Sequence, residues 1–233
     1  LGQWVLLTAC TQVSLWHQQF PLSRSVFVSV NLSSLEISHP DLIKYLQTVL
    51  IESKLNPLCL KFEITESMLM SNSEAVLTQL RHIKALGIQL CLDDFGTGDS
   101  SLSYLDQFPS DFLKIDRSFI ERVDSTENLE IVRPILSLAH TLGLKVVAEG
   151  LETKTQLAQL RALRCEFGQG YSFSRPLDAL QMTHFIREQF SDEPLTSITV
   201  TLPRLFIHSQ SGRYQLLLIG RTSWSLGRSQ DCT

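Results

Sequence analysis

The sequence predicts an α/β protein in which a parallel sheet is covered by helices. Three observations carry this. Short runs of strand length alternate with amphipathic stretches of helix length up to about residue 190. The strand-length runs are largely apolar throughout, as expected of strands buried on both faces. A polar residue recurs at or near the C-terminal end of most of these runs, the edge where open and closed α/β sheets gather their chemistry.

The first element is a helix at 3–17. Strands are expected at 26–31, 59–65, 89–94, 112–116 and 145–149, with briefer ones at 165–168 and 171–174. Helices are expected at 41–54, 73–86, 126–142, 153–163 and 178–190. Gly87 and Gly143 follow two of these helices as C-terminal stops. Thr153 with Gln156 reads as a capping box that opens another.

Composition bounds the rest. The chain has 233 residues, 43% of them hydrophobic, so it can bury a substantial core, which excludes a disordered chain or a coiled coil. The length suits one large domain, or one domain and part of another, and a start at Leu1 rather than Met suggests a fragment. A net charge of −4 and a pI near 5.9 argue against binding a nucleic-acid polymer. Cys10, Cys59, Cys91, Cys165 and Cys232 are odd in number, widely spaced and mostly set in apolar runs. They read as buried thiols of a cytoplasmic protein. No run is long enough to span a bilayer, and no signal-peptide pattern opens the chain.

Asn31, Glu63, the pair Asp93 and Asp94, Lys114 and Glu149 sit at or near successive strand ends. Four carboxylates at close quarters cannot all stay ionised without compensation. A hard divalent cation suits an oxygen-only donor set, and adjacent aspartates make room for a second. Two ions about 4 Å apart can polarise a phosphoryl oxygen and generate hydroxide, the pattern of phosphodiester hydrolysis. Lys114, inside an apolar strand, is placed to orient that hydroxide or to neutralise charge developing on the phosphate.

These residues lie in a series of motifs: 28–33 (VSVNLS), 63–66 (EITE), 93–98 (DDFGTG), 113–116 (LKID), 147–150 (VAEG) and 169–171 (QGY), followed by Phe173 and Ser174. In this order the chain resembles the EAL-domain cyclic-di-GMP phosphodiesterases, bacterial signalling enzymes built on a modified TIM barrel, over roughly residues 1–190. The resemblance implies that Asn31, Glu63 and Asp93 hold one metal, and that Asp93 bridges to a second held also by Asp94 and Glu149. Lys114 would assist the attacking water, with Glu149 also at the reacting centre. Glu66 would anchor the loop after Asp94, where Gly96 and Gly98 permit a tight backbone. Gln169 and Asp116 would line the substrate site. The implied reaction opens cyclic di-GMP to linear pGpG with Mg2+ or Mn2+, two ions in all, and the implied assembly is an EAL-type homodimer.

Two departures stand out. Asp99 follows Gly98 where the family usually has a tyrosine. The Glu-Ala-Leu tripeptide that names the family, whose glutamate is a metal ligand on the first strand, does not occur in the sequence. The expectation is therefore a barrel lacking its first strand, less stable than a closed one and with little turnover of its own. The competing reading is a degenerate EAL domain acting as a non-catalytic cyclic-di-GMP receptor or protein-interaction module. An enolising barrel enzyme with Lys114 as base fits the motifs less well.

Residues 191–196 read as a linker. Strand-like runs at 197–202 and 214–219, followed by 224–229 (WSLGRS), resemble the opening of a forkhead-associated domain. In that family the arginine matching Arg228 contacts a phosphothreonine peptide, so 197–233 is expected to begin such a module without completing it. Asp94-Phe95-Gly96 matches a kinase metal motif, but the rest of the kinase signature is missing. Asn31-Leu32-Ser33 is formally a glycosylation acceptor. His82 and His140 lie on helices and read as surface or packing residues.

Overall fold

A computed structural model of the chain describes residues 2–20, 26–70, 74–96, 108–121, 126–189, 204–209 and 212–219. Helix α1 (Gly2–Gln19) leads to β1 (Phe27–Asn31), the short α2 (Ser34–Ile37) and α3 (Leu42–Ser53). A 3-10 turn at Pro57–Cys59 enters β2 (Leu60–Thr65), followed by α4 (Glu66–Met70), α5 (Glu74–Ala85) and β3 (Gln89–Phe95). Next come β4 (Phe112–Ile115), α6 (Arg117–Ile120), α7 (Thr126–Thr141), β5 (Lys145–Ala148), α8 (Lys154–Ala162), β6 (Phe167–Gly168) and α9 (Ala179–Gln189). Two further strands follow, β7 (Arg204–Ser209) and β8 (Gly212–Ile219).

The expected helices and all but one of the strands expected before residue 190 lie within two residues of their places. Their end signals act as anticipated. Thr153 and Gln156 close a reciprocal capping box on α8, and Gly87 takes a φ of 87° where α5 stops. The expected strand at 171–174 is instead a turn. There Ser172 donates its N–H to Leu151 and Phe173 donates to Gly170, so these backbone N–H groups are taken up by a loop and a turn. The tail run 197–202 and the linker 191–196 fall outside the described residues, and 214–219 falls within β8.

The sheet runs in the order β6-β5-β4-β3-β2-β1-β8-β7. Neighbours from β1 to β6 are parallel, as crossover helices require. Strand β8 pairs antiparallel with β1 through Phe27–Ser29, and β7 pairs antiparallel with β8.

The parallel part curls into a half-barrel. In a flat sheet, with about 4.8 Å between strands, β1 and β6 would lie about 24 Å apart. Yet the Phe27 ring of β1 stands 6.3 Å from Phe167 of β6, and both pack on Phe112 of β4. The outer faces of the strands and the inner faces of α1, α3, α5, α7 and α8 form one apolar core around residues such as Trp16, Leu46, Leu80, Val132 and Leu160. Curling turns the C-terminal strand ends inward towards one mouth, and that is where the polar residues lie.

Candidate metal centre

Each of the strands β1 to β6 brings one or two polar groups to the mouth. Asn31 ends β1 and is exposed, while Glu63, its register partner on β2, is 2% exposed. Lys114 lies within β4 between buried Leu113 and Ile115, and is 1% exposed. Glu149 follows β5, where its N–H continues the ladder to Ile115, and Gln169 follows β6, where its N–H donates to Ala148.

Asp93 and Asp94 are adjacent, so in a regular strand they would point to opposite faces. A bulge solves this. The β3–β4 register shifts between Leu92 and Phe95, and Asp94 adopts a φ of 55°, the left-handed region that is uncommon for any residue but glycine. The Asp94 N–H donates to Oδ1 of Asp93 at 3.0 Å. As a result, oxygens of Asp93, Asp94 and Glu149 come within 4.8 Å of one another.

Lys114 occupies the centre. Its Nζ lies 2.9 Å from Oε2 of Glu63, 2.8 Å from Oδ1 of Asp93 and 2.6 Å from Oε1 of Glu149. Burial pulls the ammonium towards neutrality, but Glu63, Glu149 and Asp93 outweigh it and hold its pKa well above the usual lysine value. Burial pushes the Glu63 carboxyl up, against the attraction of Lys114. Asp94 is also pushed up, by burial first and then by Asp93 and Glu149. Oε1 of Glu63 is buried without a protein partner.

The other expected site residues divide. Glu66 accepts the Gly96 N–H at 3.3 Å, which ties α4 to the backbone just after Asp94. Asp116 caps α6 by accepting the Ser118 N–H at 2.9 Å. Burial raises its carboxyl, but hydrogen bonds from Ser118 and Arg117 prevail and lower it. Asp116 stands outside the group formed by Asp93, Asp94 and Glu149. Gln169 is buried, its carbonyl accepting the Leu151 N–H. Gly98, Asp99 and Arg228 lie outside the described residues.

A cavity of about 870 Å³ opens beside Asn31 and Glu63 and runs between α1 and α3 over Val5, Leu6, Leu42 and Phe62. It flanks the carboxylates and does not include Asp93, Asp94 or Glu149.

Sequence reasoning missed Lys61. Its ammonium lies 3.2 Å from the ring centroids of both Phe27 and Phe112, a cation–π cage below the mouth. The period of two along β2 carries the signal, since it puts Lys61 on the same face as Glu63. Cys10, Cys59, Cys91 and Cys165 are buried free thiols, and burial pushes Cys10 and Cys165 up to about 12. His82 and His140 are exposed, and His140 meets Glu166 at 3.0 Å. No helix among the described residues is long and apolar enough to cross a membrane.

Fold and mouth together define a half-barrel α/β protein with an acidic, oxygen-donor centre at the C-terminal strand ends. Residues 1–176 match the EAL domain model, and the chain belongs to that family. It is 39% identical over 201 residues to the cyclic di-GMP phosphodiesterase NbdA of Pseudomonas aeruginosa, covering 85% of this chain and 25% of that protein. MucR of the same organism, solved as a phosphodiesterase in complex with cyclic di-GMP, superposes with a TM-score of 0.68 at 40% identity, over 73% of this chain and 68% of that one. The EAL domain of Mycobacterium smegmatis DcpA gives 0.76 at 35% identity, over 81% and 84%. The chain spans about a quarter of the length of the curated relatives it matches.

EAL domains are metal-dependent, and the residues present fit a cation. The donors converging here are carboxylate oxygens without thiol or imidazole, the set that hard divalent ions prefer. The buried, unpartnered oxygen of Glu63 is a position that a cation would satisfy.

Proposed function

We propose that this chain carries the catalytic face of a cyclic-di-GMP phosphodiesterase that opens the ring to linear pGpG. Water adds to phosphorus, the P–O3′ bond breaks, and O3′ takes up the proton. Asn31, Glu63, Asp93, Asp94 and Glu149 would hold two Mg2+ or Mn2+ ions. When bound, such ions supply Lewis acidity to the phosphoryl group and make the attacking water acidic enough to react.

The chain's own residues prepare the site. The Asp93–Asp94 bulge aims two adjacent carboxylates at one place. Glu66 fixes the backbone behind them through Gly96. Gln169 and Asp116 would meet the dinucleotide. The observation that carries this reading is the convergence of Asp93, Asp94 and Glu149 at the strand ends of an EAL-family half-barrel.

The test is release of pGpG from cyclic di-GMP with Mn2+. It is run on residues 1–233 and on a form with an added N-terminal strand bearing Glu-Ala-Leu, because the sequence contains no such tripeptide. Little turnover is expected from the first and metal-dependent turnover from the second. Binding of both metal and dinucleotide by the second form without any product would favour the non-catalytic receptor.

A further inference from the structure

Strand β1 pairs with β2 from Val28 to Asn31 and, along its other edge, with β8 from Phe27 to Ser29. That second edge carries none of the usual guards against pairing. The strand reads FVSVN, with neither charge nor proline, and its first four residues are buried. An edge of this kind, left open, templates another strand through its free N–H and C=O groups.

The tail hairpin serves as its cover. Strands β7 and β8 pair along six positions, from Arg204 opposite Leu217 to Ser209 opposite Gly212. Against β1, β8 pairs at three positions only and stops before Val30 and Asn31. On its far side β7 lies against α9, the helix that follows β6. The hairpin thus spans the seam between the two ends of the curled parallel sheet. It also brings the strands to eight, the number in a closed α/β barrel. Because it is paired more extensively within itself than to β1, it can leave as a unit.

A strand placed ahead of α1 needs the same edge. With α1 and β1 it would form a β-α-β unit, whose two strands are commonly neighbours, and the other side of β1 is taken by β2. One edge cannot hold two partners. We propose that the β7–β8 hairpin is an exchangeable edge cover: it closes the seam beside β1 by strand addition and gives up that edge when an N-terminal strand inserts. The nature of the inserted strand rests on the EAL reading above, whereas the pairing of β8 with β1 stands without it.

The experiment uses the full chain and the form with an added N-terminal strand bearing Glu-Ala-Leu. Cysteine pairs are placed at register partners, Val28→Cys with Leu218→Cys and, separately, Ser29→Cys with Leu217→Cys. Adjacent antiparallel pairs alternate in spacing, so the two choices sample both geometries for a disulfide. Circular dichroism checks folding, and peptide mapping after mild oxidation reads the cross-link. In parallel, hydrogen exchange at β1 and β8 is measured on both forms without cysteine substitutions. The full chain is expected to cross-link and to protect its β8 amides. With the added strand, the cross-link should be lost and β8 should exchange freely, since an isolated hairpin is marginal, while β1 stays protected. Unprotected β8 amides in the full chain overturn the proposal, as does the absence of a cross-link from both folded pairs. Cross-linking or β8 protection that persists undiminished beside the added strand overturns it too. Where a cysteine pair does not fold, the exchange data decide. If the strands exchange as expected but no pGpG is released with Mn2+, the phosphodiesterase reading fails and the edge cover stands.

Discussion

Glu63 and Lys114 form a 2.9 Å ion pair with both side chains almost wholly buried, and Glu63 keeps its second oxygen free of any protein partner. A buried pair costs much to desolvate, and removing one partner outright costs more. Glu63→Gln preserves the shape and still accepts from Lys114, whose charge remains matched by Asp93 and Glu149. The ion-free chain should change in stability by less than about 2 kcal/mol. Its Mn2+ affinity should fall at least about tenfold. Thermal melts with and without Mn2+ read both quantities, and an undiminished metal-induced rise in Tm would remove Glu63 from the ligand set.

Asp94 combines a left-handed backbone with a carboxyl that burial, Asp93 and Glu149 push up. A folded-state pKa above the unfolded one means that the folded chain binds the proton more tightly. That contribution is fully present below the unfolded value, about 4, and is lost as pH rises through the folded value. Asn tolerates the left-handed region and does not titrate. Without metal, Asp94→Asn should match wild type near pH 3 and exceed it at pH 7. The gain should stay below about 1 kcal/mol, because the side chain is part-exposed and screened. With Mn2+ the order should reverse. A difference that did not vary with pH would contradict this account of Asp94.

Glu63, Lys114 and Glu149 were legible because a polar residue at or near the C-terminal end of an apolar strand marks the mouth of an α/β sheet without knowledge of any contact. The aspartate pair was not legible in the same way. Strand periodicity sends Asp93 and Asp94 to opposite faces, and only the left-handed φ of Asp94 brings them together. Residues 171–174 misled because an alternating Tyr-Ser-Phe-Ser run looks like a strand, whereas the Ser172 N–H is captured by Leu151 from a distant loop. Helices α2, α4 and α6 are about one turn long, too short for a hydrophobic period to register. The cage around Lys61 depends on β1 and β4 meeting across the curl, which no local pattern contains.

Gly170 lies against the backbone of Leu151, whose N and O a Cβ at this position would strike. Backbone cannot move aside as a flexible side chain does, so Gly170→Ala must shift the segment that carries Gln169. A loss of about 1–3 kcal/mol follows from such overpacking, with weaker binding of cyclic di-GMP. Gly168→Ala is the control, because its Cβ would strike the end of the Leu151 side chain, which can turn aside, and otherwise rest in ordinary contact on the Phe173 ring. Gly170→Ala should lower Tm by more than Gly168→Ala. Equal shifts would mean that the close approach to Leu151 does not hold Gln169 in place.

Asp93 is where the grip of Lys114, the bulge and the carboxylate group meet: Oδ1 accepts from both Lys114 and the Asp94 N–H. In Asp93→Asn an amide oxygen can receive the same two donors, so the bulge should survive while the negative charge is lost. In the form with the added strand, pGpG release should drop by roughly a hundredfold or more, with cyclic di-GMP affinity held within a few-fold. Asp99→Tyr, which restores the residue usual in the family, should leave turnover largely intact. Chromatographic assay of pGpG beside a dinucleotide binding isotherm separates the outcomes. Loss of binding together with turnover would make Asp93 a ligand contact, and near-normal turnover would refute the two-metal reading.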